Sequence, residues 1–181
     1  MTEAAPPAPT PDDKDWTWVL ERPCPECGFD TSAVQLDRIG ELIRQNATTW
    51  HTVLARPDVG ERSAPDRWSP LEYASHVRDV FRVYLGRLDR MLTEDGPHYE
   101  NWDQDAMAVE ERYDLATPAT VAAELTVAAE ALASRFDTLH GDQWQRTGFR
   151  SDGASFTIDT FARYFIHDPI HHLWDVGIDP V

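Results

Sequence analysis

The chain has 181 residues, with 16 basic side chains against 32 acidic ones and a formal net charge of -16. That length suits one domain with a substantial core, and that charge repels a phosphate backbone, which argues against nucleic acid as a partner. No stretch reaches the roughly 18 uninterrupted apolar residues of a membrane span, and the start MTEAAPPAPTPDDKD lacks the basic and apolar regions of a signal peptide, so a cytoplasmic protein with no membrane partner is expected.

Residues 1–15 hold Pro6, Pro7, Pro9 and Pro11 and almost no large apolar group, so burial cannot offset the entropy of ordering them. They read as a disordered tail, with residues 16–181 as a single domain. Trp16, Trp18, Val19 and Leu20 then mark an irregular strap that packs onto that domain. Next comes Cys24-Pro25-Glu26-Cys27-Gly28-Phe29, a knuckle of the kind found in zinc ribbons. The chain has no second Cys-x-x-Cys, and His51 is the nearest histidine in sequence, so spacing alone does not predict a closed four-ligand site. The motif reads as a tight turn whose thiols are incidental or weakly reactive.

Ser32-x-x-Gln35 has the form of a capping box, and Ile39, Leu42, Ile43, Trp50, Val53 and Leu54 follow at helical intervals, which predicts a first helix to about Ala55. Ser69-Pro70-x-Glu72 opens a second helix, with the apolar face Tyr73, Val77, Val80, Phe81, Tyr84, Leu88 and Met91 running to about Leu92. His76 falls on that inward face. The connection from Thr93 to Ala116 is too long for a plain helix-to-helix turn and suggests a functional, lid-like segment with a short helical turn near Met107 to Arg112. A third helix starts at Thr117-Pro118 and runs to about Leu139. The fourth spans Phe156 to about Trp174, capped by Ser155.

The last helix carries FARYFIHDPIHHLWDV, residues 161–176. His167 and His171, at i and i+4, share one helix face and can grip one ion, although such a pair can also simply answer the helix dipole. His172 points about 100° further round. Pro169 lies between the pair and should kink or bulge the helix, and a one-residue bulge would bring His172 onto the same side. With His76 facing inward, three imidazoles can meet inside the bundle and leave coordination positions open, the pattern of a catalytic metal site.

Trp68-Ser69-Pro70 followed by His76, together with the His-x-x-x-His of His167 and His171 near the end of the last helix, resembles the DinB-like (YfiT-like) superfamily over roughly Ser32 to Val176. The CPECGF, NWDQD and HDPIHH runs resemble an actinobacterial-type branch of it. The resemblance implies an all-α antiparallel four-helix bundle in up-down-down-up order, often a homodimer, with zinc or nickel on His76, His167 and His171. It also implies a small-molecule substrate and a mycothiol-type S-transferase using a low-molecular-weight thiol; a metal-dependent hydrolase and a non-catalytic ligand-binding stress protein are the alternatives. On the transferase reading the electrophile enters beneath the Trp102 loop, Tyr164 donates a hydrogen bond to substrate, and Asp103 or Asp105 serves as general base or partners a ligand histidine.

Overall fold

A computed structural model describes residues 14–179; the proline-rich stretch 1–13, read above as a tail, lies outside them. Four long helices build the core: α1 (Ile39–Leu54), α2 (Pro70–Thr93), α4 (Pro118–Asp137) and α5 (Ile158–Asp175), with a short α3 (Gln104–Glu110) in the connection after α2. Each long helix buries one stripe and meets the others through it. Trp50 and Ile43 of α1, Phe81 and Leu88 of α2, Leu125 and Leu132 of α4, and Phe161 and Phe165 of α5 are all within 1% of complete burial. Each such side chain contributes about 1.5–3 kcal/mol by leaving water. Tyr84 ties α2 to α5, its ring 4.9 Å from both Phe161 and Phe165.

Cap chemistry sets where these helices begin. Ser69 accepts from the Glu72 N–H while Glu72 reaches back to the Ser69 N–H, the expected capping box, and Pro70 fills the first helical position. The first helix departs from expectation. Asp30, not Ser32, does the local capping, and two 3-10 turns at Thr31–Ala33 and Leu36–Arg38 precede α1, which starts only at Ile39. Val34 and Gln35 are extended there, so no helix can run through them.

The last helix also starts later than expected. Thr157 caps α5 through the Thr160 N–H, because Ser155–Thr157 is committed to strand β3. β3 pairs antiparallel with β2 (Thr147–Arg150), and β2 pairs parallel with β1 (His98–Tyr99). This small sheet seals the C-terminal end of α2. Arg146 donates to the carbonyls of Met91 and Glu94, and the backbone at Gly148 lies directly against Met91 and Tyr99. Arg146 thus meets the negative end of the helix dipole with a cation.

The N-terminal segment is the strap that the tryptophans imply. A 3-10 turn at Thr17–Leu20 buries Val19, and the Thr31 hydroxyl donates to the Val19 carbonyl. Arg163 of α5 holds the other end, donating to the carbonyls of Thr31, Ser32 and Val34. No helix of the described residues is long and apolar enough to cross a membrane.

Two glycines test this packing in opposite directions. A Cβ on Gly148 would stand 2.8 Å from Met91 Cγ and 2.9 Å from Tyr99 Cε1, so Gly148→Ala should destabilise by about 1–3 kcal/mol. A Cβ on Gly86, within α2, would meet open space, and Gly86→Ala should stabilise by about 0.5–1 kcal/mol. Urea unfolding midpoints of the two variants should move to opposite sides of the wild type.

Candidate metal centre

α5 presents two adjacent stripes of ligand-type side chains. At about 100° per residue, His167 and His171 lie on one line down the helix, while Asp168 and His172 lie on the next. The helix continues as α-helix through Pro169, whose carbonyl accepts from Asn46 Nδ2 at 2.8 Å. The bulge that would merge the two lines does not form. Each line meets a different partner, giving two groups whose ligand atoms lie within 4.8 Å of one another: Cys24, Cys27, His167 and His171, and His76, Asp168 and His172.

His76, completely buried on α2, is the centre of the second group. Trp102 stacks flat on its ring at 5.3 Å, Trp68 closes a second side at 5.2 Å, and His172 stands edge-on at 4.8 Å. Its Nε2 faces Asp168 Oδ1 at 3.4 Å, a long contact. Among the described residues neither His76 nitrogen has a hydrogen-bond partner, and the sealed Asp168 Oδ1 accepts no hydrogen bond either. Orphaned buried polar atoms of this kind cost about 1–3 kcal/mol each. One nitrogen of His76, Asp168 and His172 bring ligand atoms within 4.8 Å of one another, so a cation between them would complete groups that the protein leaves unpaired.

Electrostatics suits the same interpretation. Burial pulls the His76 pKa down against the pull of Asp168, leaving a neutral imidazole with a free lone pair. Burial would raise Asp168, but His172 and His76 beside it hold it at about 2, as a carboxylate. His172 Nδ1 lies 2.8 Å from Asp175 Oδ2. A carboxylate there accepts the Nδ1 proton, which turns the Nε2 lone pair toward Asp168, 3.7 Å away. Two imidazoles and one carboxylate are a fitting set for a first-row divalent cation, with positions left over for water or substrate.

The structure therefore divides the trio of His76, His167 and His171 read from the sequence. His167 and His171 turn away from His76 toward the cysteine knuckle: His171 Nδ1 is 3.7 Å from Cys24 Sγ, and His167 Nε2 is 3.7 Å from Cys27 Sγ. The thiols, read from the sequence as incidental or weakly reactive, lie buried against this histidine pair. Sequence reasoning passed over Asp168 and brought His172 to the site only through a bulge in the helix. Asp168-x-x-x-His172 carries the same i, i+4 signal as the histidine pair, whereas the cysteine contacts span 140 and 147 residues and leave no local trace.

Trp102 and Tyr164 both line the broad cleft of ≈ 1610 Å³ that opens over α5. The Tyr164 hydroxyl accepts from Arg150 at 3.0 Å. Burial pushes its pKa up, partly opposed by Arg150, so it is a phenol able to donate. Asp103 and Asp105 sit on the cleft wall, where Asp103 caps α3 by accepting from the Ala106 N–H. Neither carboxylate is among the groups gathered around His76 or His167.

The chain is a helical bundle with ligand-type side chains on two facing helices that could hold a metal ion beside a cleft. The model of the DinB superfamily matches residues 41–176, and the chain belongs to that superfamily. Among solved structures it is similar to YfiT from Bacillus subtilis, described as a probable metal-dependent hydrolase with an unusual four-helix bundle topology. The TM-score is 0.66 at 16% identity, over 80% of this chain and 89% of that one. At that identity the likeness establishes the four-helix-bundle fold. No curated protein matches.

If the bare nitrogens of His76 await a ligand, they burden the metal-free protein. His76→Leu, which fills similar space without polar atoms, should leave chelator-treated protein at least as stable as chelator-treated wild type, with a gain of about 1–3 kcal/mol. A clear loss in thermal unfolding would mean that His76 is a satisfied core residue.

Proposed function

We propose that the protein is a divalent-metal-dependent enzyme whose ion is held by His76, Asp168 and His172, and that it transfers a low-molecular-weight thiol of the mycothiol type to a small electrophile. The grouping of His76, Asp168 and His172, with ligand atoms within 4.8 Å of one another where His76 and Asp168 Oδ1 lack hydrogen-bond partners, carries the metal assignment. A bound divalent ion, zinc or nickel by the chemistry of the donor set, brings the pKa of a coordinated thiol or water toward neutrality.

The remaining roles belong to the chain's own side chains. Trp68 and Trp102 exclude water from His76 and hold its ring in place. Asp175 fixes the His172 tautomer. Tyr164, oriented by Arg150, donates a hydrogen bond to the substrate's polar group, and Asp103 and Asp105 offer carboxylates at the rim as bases. Arg87, which donates to the Glu100 carbonyl and lies over Tyr84 and Tyr99, brings a cation into the same cleft. The cleft of ≈ 1610 Å³ has room for a thiol cosubstrate beside the electrophile, as transfer needs. Hydrolysis is the second reading, favoured by the description of the structurally similar YfiT.

The same reading takes the bundle as up-down-down-up. Arg78 pairs with Glu124 and Asp89 with Arg135, as parallel α2 and α4 require, and the long connection 94–117 returns the chain for a parallel start. Asn46 reaches Pro169 and Arg56 reaches Val176, as parallel α1 and α5 require.

Metal-loaded protein should consume an electrophile only when a thiol is supplied, at a rate lowered at least ~100-fold by His76→Ala or His172→Ala. Tyr164→Phe should lower it about 10-fold, the worth of one hydrogen bond. Thiol-independent turnover of an ester panel would instead select hydrolysis, and a rate untouched by His76→Ala would remove the centre from the chemistry.

A further inference from the structure

The group formed by Cys24, Cys27, His167 and His171 differs from the His76 group in ligand number, ligand type and burial. All four residues are buried, Cys24 and Cys27 at 2% and 7% exposure and His167 and His171 at 4% and 7%. By contrast, the Asp168 side chain keeps 33% of its exposure. There are four ligands rather than three. They come from a Cys-x-x-Cys knuckle and an i, i+4 histidine pair, each a natural two-point grip on one ion. In tetrahedral zinc with Zn–S near 2.3 Å and Zn–N near 2.05 Å, sulfur and nitrogen stand about 3.6 Å apart. Both observed Sγ to nitrogen distances are 3.7 Å.

The surroundings are built for the same purpose. Gly28, at φ +74°, makes the tight turn after Cys27, and its N–H donates to the Cys24 carbonyl, which folds the knuckle. His171 turns Nδ1 toward Cys24 and Nε2 toward Glu26 at 3.4 Å and Asp175 at 3.9 Å, the outer carboxylates that orient a metal-binding imidazole. Trp16 covers the outside, its ring 5.5 Å from His167 and 5.2 Å from His171. Both cysteines are free thiols.

We propose that Cys24, Cys27, His167 and His171 form a second, closed zinc site that staples the N-terminal strap to α5, distinct from the open centre of His76, Asp168 and His172. Loading forms two S–Zn and two N–Zn bonds and releases the two thiol protons to solvent. No position is left for substrate, so the ion acts on structure. Because Asp168 and His172 each directly follow one of the histidines of the staple, fixing His167 and His171 also fixes the rotation of α5 that aims the open centre. The two sites share no ligand. Zinc suits the donor set, two thiolates and two imidazoles in a tetrahedron, without redox activity.

The test uses the full chain carrying His76→Ala, which removes a ligand of the open centre and isolates the staple from the functional reading above. Purified without chelators from zinc-supplemented cells, it should retain one zinc per chain by elemental analysis. Replacing that zinc with one equivalent of cobalt should give thiolate-to-cobalt charge-transfer absorption and tetrahedral d–d bands, both lost in His76→Ala/Cys27→Ser. Should the serine variant not fold, a thiol-reactive disulfide reagent on His76→Ala protein gives an independent reading. Both cysteines should react at least tenfold faster after chelation, and protease cleavage within the strap should appear with them. Absence of zinc, a cobalt spectrum without thiolate bands, thiol reactivity indifferent to chelator, or a Cys24–Cys27 disulfide in anaerobically purified protein would each overturn the staple. Because every arm carries His76→Ala and the two sites share no ligand, failure of the staple says nothing against the open centre, and failure of the open centre says nothing against the staple.

Discussion

An α-helix advances about 100° per residue, and this rotation decides what the HDPIHH run of α5 can do. Residues four apart align and residues one apart diverge, so His167 and His171 face the strap while Asp168 and His172 face α2. A small error in the rotation of α5 about its own axis would misaim both lines together. Several contacts resist it: the Asn46 amide grips the Pro169 carbonyl from α1, Phe161 and Phe165 lock against Tyr84, and Arg163 binds the carbonyls of the strap. Proline in the helix interior fits this scheme. The carbonyl that Asn46 takes is on the residue whose own N–H is missing, so the weakest point of the ladder is also the point anchored from outside.

Burial then sets the chemistry of each line. His76 is held neutral by desolvation and enclosed by aromatic rings, and beside it Asp168 stays ionised. A neutral imidazole and a carboxylate side by side, neither completed by a hydrogen bond, are poor neighbours without a cation and good ones with it. The cleft above them mixes tyrosine, tryptophan and arginine, which suits a polar organic molecule and fits the acidic surface of the whole chain only through its local cations.

Much of this was legible in the sequence. Ser69-Pro70-x-Glu72 and Thr117-Pro118 located two helices to within a residue or two of their starts, because a capping box at the first and a first-turn proline at both are local signals. His76 was placed on an inward face by its spacing from Tyr73 and Val80, and Trp102 was placed beside the site by the length of its loop. The choice between two equally spaced stripes on α5 was not legible. His167/His171 and Asp168/His172 have identical periodicity, and only the tertiary rotation of the helix tells which one meets His76. The strands β1, β2 and β3 escaped for a different reason. At two to four residues each they are too short to display an alternating pattern, and what holds them is packing on Met91 and Tyr99.

The anchoring of the strap has a consequence for how the chain is made. Its contacts reach across most of the protein: Cys24 to His171 spans 147 residues, Cys27 to His167 spans 140, and the Arg163 contacts span 129 to 132. A ribosome delivers the cysteines first and their partners last, so the strap has nowhere to dock until the C-terminal helix has emerged and packed. Both thiols therefore stay outside the shelter they later occupy until α5 has been made and has packed.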